Sequence, residues 1–237
     1  MLSDLAALQA RLAAVRDRIA AAANRAGRDP SSVRLVAVSK TFPTDDVRAL
    51  ANCGHIDFGE NKLQEALPKI AATAGMGLVW HLVGHLQSNK ARKAASVFDL
   101  VHSVDTGTMA ERLDEAAAAA GRRLELLVQV NLAGEAAKHG APLGGLLPVF
   151  DAARRCRSVN VAGLMAIPPA TADPEEARPH FRMLRDLRDR LLSEGVDRAM
   201  LRELSMGMSA DFEVAVEEGA TIVRVGTAIF GRRPPLR

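Results

Sequence analysis

The stretch "VRLVAVSKTFP", residues 33–43, reads as a strand that runs straight into a lysine. Leu35, Val36, Ala37 and Val38 show no polar alternation, the pattern of a strand covered on both faces in a parallel sheet flanked by helices. Lys40 follows at once, ahead of Pro43, where the chain is expected to turn. By itself this lysine is either a solvated strand end or a reactive amine at the rim of a site. The rest of the chain has to distinguish the two.

Upstream, Leu5, Leu8, Leu12, Val15 and Ile19 recur every three or four residues with charges between them, an amphipathic helix ending near Gly27 with Pro30 beyond. Its acids and the lack of a cleavage-like site argue against a targeting peptide. Downstream, strands are expected at 33–39, 55–59, 78–84, 100–104, 124–131, 159–167, 201–206 and 221–226. Helices are expected between them at 45–51, 61–72, 89–96, 108–120, 143–157, 174–193 and 211–218. In the last long helix Phe181, Leu184, Leu187 and Leu191 form the packing face and the charges the solvated one. Eight strands alternating with helices predict a single α/β domain over 1–237, a closed (β/α)₈ TIM barrel with the N-terminal helix, 1–27, packed on it. In such a barrel functional groups sit where strands end. Lys40, Glu60, Asn61, the 84–89 loop, Asp105 and Asn131 all take that position.

Composition narrows the function. The net charge of +3 is no nucleic-acid footprint, and no apolar run is long enough for a membrane span. Cys53 and Cys156 form no redox or metal pattern, and with no secretory segment the expected compartment is the cytoplasm. Of the 31 basic residues only six are lysines: Lys40, Lys62, Lys69, Lys90, Lys93 and Lys138. Where arginine supplies surface charge, a lysine at a strand end is less incidental, since it alone of the two can lose its proton. His81 and His85 have a zinc-like spacing, but on a strand and its loop that spacing does not give one face, and no third ligand is evident. His55 and His102 read as ordinary strand-end residues.

The loops after strands seven and eight, where barrels commonly bind phosphate, read "SMGMSADFE" and "RVGTAIFG". Ser209 is placed to cap the helix at 211–218, Gly207 permits close backbone approach, and Gly226 and Thr227 add amides and a hydroxyl. Arg224 shares a face with Gly226, so it points inward and must pair with Glu203 or Asp211 or donate to a ligand. An amine, an anion site and an inward arginine suit pyridoxal phosphate. A sugar-phosphate enzyme with an imine-forming lysine, or a barrel for another phosphorylated metabolite, fits the same geometry.

The segments "AVSKTFP", "FGENKLQEA", "WHLVGHLQSNK", "GLMAIPP" and "LSMGMSADFEVAVEEGATIVRVGTAIFG" together resemble the pyridoxal phosphate homeostasis proteins, over nearly the whole chain. That family is similar in fold to the alanine racemase N-terminal barrel. The resemblance implies pyridoxal phosphate held as a Schiff base on Lys40, with phosphate contacts from Ser205, Ser209, Gly226 and Thr227. It implies Arg224 at the pyridine nitrogen, and Asn61 and His81 beside the ring. The partners expected are the cofactor and pyridoxal-phosphate-dependent apoenzymes, and the chain is expected as a monomer, with a weak dimer as the alternative. One departure is His85 in "VGHLQSNK", where the family is expected to prefer proline, so that loop is expected to differ.

The resemblance to racemases raises the question of catalysis. Racemisation needs a base on each face of the substrate carbon, which in alanine racemases are the lysine and a tyrosine from a second, β-rich domain. This chain has no tyrosine, and no second domain is expected after its eighth strand. An arginine at the ring nitrogen keeps that nitrogen unprotonated and the ring a weaker electron sink. Cofactor carriage is therefore expected rather than catalysis, with a low-activity amino-acid racemase or lyase as the alternative.

Overall fold

The computed structural model describes residues 5–132 and 139–231. Its strands are β1 (Arg34–Val38), β2 (Asp57–Glu60), β3 (Val79–Leu82), β4 (Leu100–Val104), β5 (Leu124–Gln129), β6 (Val159–Met165), β7 (Glu203–Ser205) and β8 (Ile222–Val225). All pair in parallel with their sequence neighbours, and β1 pairs with β8, so the sheet closes into a barrel. The helices are α1 (Leu5–Arg25), α2 (Thr44–Asn52), α3 (Leu63–Ala72), α4 (Ala91–Ala95), α5 (Gly107–Ala119), α6 (Leu146–Ala153), α7 (Arg178–Ser193), α8 (Phe212–Glu217) and α9 (Thr227–Phe230). The expected (β/α)₈ architecture is present.

Strand alternation sorts the core into two shells. Leu35, Ala37, Phe58, Trp80 and Leu82 face the helices, in one large apolar cluster with Phe181, Leu184, Leu187 and Leu191 of α7. Val36, Val38, Val83, Leu100, Leu127, Ala162, Met165 and Ile222 fill the barrel itself. The unbroken apolar strand read from the sequence is this double burial.

The N-terminal helix ends as its sequence demands. Gly27 adopts φ +66°, and the Arg28 amide donates back to the Ala23 carbonyl at 2.9 Å. Leu8, Leu12, Val15 and Ile19 are buried, and each contributes roughly 1.5–3 kcal/mol by leaving water. The helix packs on α2, α8 and α9. Arg11 donates to the Ile229 carbonyl at 2.6 Å and Arg28 to the Val216 carbonyl at 2.6 Å, which ties α1 to the last βα units. The first four residues of the expected 1–27 helix lie outside the described residues, as does Lys138.

Several boundaries differ for local reasons. β7 begins at Glu203 rather than 201, because Asp197 caps a 3₁₀ turn over Arg198–Leu201. α6 begins at Leu146, after a 3₁₀ turn over Leu143–Gly145 whose paired glycines disfavour a helix. α7 starts at Arg178, with the proline of its first turn preceded by a 3₁₀ turn over Pro174–Ala177. β5 stops at Gln129, and Val130 makes only an isolated bridge to Ala141. His55 lies in the turn before β2 rather than on the strand.

Candidate functional site

β1 delivers Lys40 to the C-terminal rim of the barrel. The Phe42 amide donates to the Ser39 carbonyl at 3.1 Å, closing a tight turn over residues 39–42. The chain therefore reverses before Pro43, which instead stands at the N-cap of α2. Thr41 has φ +68°, a conformation that β-branched residues rarely adopt, so its surroundings impose the turn. The Thr41 amide donates to Glu65 Oε2 at 3.1 Å. The Lys69 ammonium donates to the Ser39 carbonyl at 2.6 Å. Phe42 stacks on Phe230, with ring centroids 5.0 Å apart.

Beneath the turn, Glu60 Oε1 accepts from Ser39 Oγ at 2.6 Å and from Lys69 Nζ at 2.5 Å. Glu60 Oε2 is buried with no partner among the described residues. Burial raises the Glu60 carboxyl above its ordinary pKa, against the opposing pull of Lys69.

Lys40 lines a cavity of about 420 Å³ with Asn61, Ser209, Arg224, Gly226 and Thr227, walled by apolar side chains including Val38, Val83 and Ile167. Six of the eight residues singled out from the sequence thus meet in one place. Asn61 is held by the next loop: a Cβ on Gly84 would lie 2.2 Å from the Asn61 carbonyl oxygen, so only glycine allows this contact.

Opposite Lys40, the loops after β7 and β8 interlock. Ser209 Oγ accepts from the amides of Gly226 at 3.1 Å and Ala228 at 3.3 Å. Ser209 is therefore not the cap of α8, contrary to the sequence reading. Asp211 occupies that N-cap position, and its Oδ1 accepts from the Met208 amide at 2.6 Å. Gly207 has φ +90°, and a Cβ there would meet the Ala215 Cβ at 2.5 Å, so the loop lies directly on α8. The result is a rim of backbone amides and hydroxyls suited to an anion.

Arg224 is buried and makes no ion pair among the described residues. Its Nη1 donates to Ser205 Oγ at 2.6 Å and its Nη2 to the Ala166 carbonyl at 3.0 Å. Burial lowers its pKa to about 10, partly offset by Asp211, so it remains a cation at neutral pH. Of the two partners expected for it, Asp211 acts only at a distance, and Glu203 instead accepts from the Thr221 hydroxyl at 2.5 Å.

The structure places His81 and Ser205 in a layer beneath Arg224 rather than on the cavity wall. Both are fully buried. Ser205 Oγ lies 2.9 Å from His102 Nδ1, and His102 Nε2 lies 3.0 Å from His81 Nδ1. His81 Nε2 lies 3.0 Å from Asp57 Oδ1. His102, read from the sequence as a strand-end residue, sits in the middle of this layer. Burial, then the nearby His81, Arg224 and Arg34, push its pKa well below the ordinary imidazole value. The inward alternation of β4 was the signal that could have found it. His85 stacks on His139 at 3.7 Å, so the loop flagged for its missing proline is fixed by a ring contact instead. His81 and His85 are thus committed to different surroundings.

A barrel whose first strand presents a lysine to a cavity shared with the interlocked loops of its last two defines a class. The family model described as "Alanine racemase, N-terminal domain" matches residues 10–234. An alanine racemase from Clostridium difficile superposes with a TM-score of 0.72 at 14% identity, over 96% of this chain and 57% of that one, a likeness of fold alone. Within the class the assignment is narrower: the chain belongs to the pyridoxal phosphate homeostasis protein family. It is 43% identical over 223 residues to the pyridoxal phosphate homeostasis protein of Aquifex aeolicus, covering 94% of this chain and 97% of that one. It is 46% identical over 222 residues to that of Pseudomonas aeruginosa, covering 94% of each. The structure of PipY from Synechococcus elongatus with PLP bound superposes with a TM-score of 0.83 at 40% identity, over 94% of this chain and 100% of that one.

Proposed function

We propose that this chain binds pyridoxal phosphate in the Lys40 cavity and serves to carry or buffer it, rather than to catalyse with it, in the cytoplasm. The observation that carries the reading is the convergence of Lys40, Arg224 and the Ser209–Gly226–Thr227 cradle on one cavity of about 420 Å³. A primary amine, a donor-only cation and a rim of amides suit an aldehyde, a ring nitrogen and a phosphate, and Gly226 leaves the backbone open to close approach. When bound, the cofactor supplies an aldehyde and a conjugated ring that can accept electrons.

The chain's own residues divide the work. Lys40 would supply the primary amine that holds the cofactor through its aldehyde, and so would anchor the ligand covalently. Ser209 and Thr227 offer hydroxyls, and the loop amides offer donors, to the phosphate. Asn61 borders the ring. Arg224 would hold the ring nitrogen with N–H groups that it cannot give up, so the nitrogen would stay unprotonated and the ring would withdraw electrons more weakly. The sequence contains no tyrosine to act as a second base. Cys53 and Cys156 are free thiols, consistent with a reducing compartment. Apoenzymes that need the cofactor are the partners this role requires.

Borohydride reduction of the loaded protein, followed by peptide mass analysis, tests the anchor. A pyridoxyl adduct on the Lys40 peptide is expected. An unmodified Lys40 peptide, with the ligand still bound, overturns the covalent assignment.

A further inference from the structure

Five polar side chains from five strands cross the barrel interior behind the cavity. Arg224 is on β8, Ser205 on β7, His102 on β4, His81 on β3 and Asp57 at the start of β2. Each contact between them is 3.0 Å or shorter. We propose that Ser205, His102, His81 and Asp57 form a one-way hydrogen-bond relay that orients Arg224 toward its ligand and couples the cavity to a carboxylate at the opposite end of the barrel. The inference rests on the ligand assignment made above.

The sense of the relay follows from its two ends. A guanidinium only donates and a carboxylate only accepts. Ser205 Oγ receives an Arg224 N–H at 2.6 Å, which leaves its single proton for His102 Nδ1, 2.9 Å away, once the neutral rings are ordered from the accepting Asp57 end. His102 then carries its own proton on Nε2 and donates to His81 Nδ1 at 3.0 Å. His81 in turn donates from Nε2 to Asp57 Oδ1 at 3.0 Å. The opposite sense would make His81 donate from both ring nitrogens, a second cation in the buried layer that already holds Arg224.

The far end is open to its environment. Asp57 retains 17% side-chain exposure, and Arg34 Nε of β1 lies 4.0 Å from its carboxylate. His55 Nε2 lies 2.9 Å from the Asp57 carbonyl, and Arg16 of α1 lies 3.3 Å from His55 Nδ1. Arg34, His55 and Arg16 are therefore the charged or titratable neighbours of this end, and Asp211 is the carboxylate that acts on Arg224 at the near end. Asp57 itself does not line the cavity.

Two measurements test the relay. The first is ¹⁵N NMR of the histidine rings in the cofactor-free protein. His81 and His102 are both expected as neutral Nε2–H tautomers. An Nδ1–H or doubly protonated ring at either position overturns the relay. The second is a titration with pyridoxal phosphate of Asp57→Asn, Ser205→Ala and the double variant. Ser205→Ala is expected to weaken binding about tenfold or more, since it removes the acceptor of a charged donor. Asp57→Asn is expected to weaken it about fivefold. In the double variant the Asn substitution adds little, because the path is already cut. Additive losses, or no effect of Asp57→Asn, overturn the coupling. Should the wild type itself fail to bind, the ligand assignment falls, and the tautomers still decide the relay. They also decide it if either variant fails to fold.

Discussion

Lys69 holds Glu60 at 2.5 Å within the wall between β2 and α3, and the same ammonium reaches the carbonyl of the residue preceding Lys40. The Glu60 carboxylate already has one oxygen without a partner. Replacing Lys69 by Met therefore leaves a buried charge uncompensated, at a cost of about 3–5 kcal/mol. Urea melts measure this, and a loss below about 1 kcal/mol would show that the pair is dispensable. Glu60→Gln with Lys69→Met restores neutrality and is expected to recover much of the loss.

Thr41 pays for the geometry of the lysine turn. A left-handed β-branched residue costs roughly 1–2 kcal/mol. Asn tolerates that region better, so Thr41→Asn is expected to stabilise the fold by about 1 kcal/mol. Thermal unfolding checks this. A destabilised variant would mean that the threonine side chain makes contacts worth more than its backbone strain.

Gly207→Ala should damage both fold and cradle. The new methyl meets the Ala215 Cβ at 2.5 Å at a positive φ, so the loop carrying Ser209 must move. A loss of at least about 2 kcal/mol and weaker binding of inorganic phosphate are expected. Unchanged stability would show that the loop accommodates the methyl without strain.

Acid should weaken the fold between neutrality and about pH 4. Burial, followed by Arg16, lowers the His55 pKa from 6.5 to about 4, and burial holds His102 far below its ordinary value. Both are neutral when folded and take up protons on unfolding, so their stabilisation is present above 6.5 and is lost as pH falls through the folded values. His55 alone accounts for up to about 3 kcal/mol over that window. Denaturant melts at about pH 7.5 and about pH 5 are expected to differ, and His55→Gln to narrow the difference. Equal stability at the two pH values would contradict the assignment.

Lys40→Ala should abolish the borohydride-trapped adduct while the phosphate cradle still holds the ligand weakly. Saturating pyridoxal phosphate at about a hundred times its Kd should raise wild-type stability by about 2.7 kcal/mol. The variant should gain less at the same concentration. An equal gain would place the binding energy elsewhere.

The barrel was legible because its signal is periodic. Double-faced apolar strands such as 33–39 can only be buried between a core and helices, and eight of them closed the count. The cavity residues were legible because they stand in the loops after strand ends, or, for Arg224, because alternation along β8 turns it inward. What escaped depends on distance in sequence. Ser209 looked like a cap because it stands just before the helix expected at 211–218, but its hydroxyl faces amides 17 and 19 residues away. His102 looked incidental because its partner Ser205 lies 103 residues on. The Glu60–Lys69 pair and the left-handed Thr41 leave no motif at all. Ser205 and His81 lie on strands that lead to the cavity, and only side-chain reach separates a residue on its wall from one a layer beneath it.

The Phe42–Phe230 stack joins the first βα loop to the last helix, across the seam where β1 meets β8. During synthesis Lys40 emerges early, whereas the cradle opposite it is encoded near the end of the chain. The ligand site is therefore a product of barrel closure, its defining contacts among the most distant in sequence. A nascent chain truncated before β8 carries the lysine without the loops that complete the cavity, so the cavity exists only in a molecule whose last strand has paired with its first.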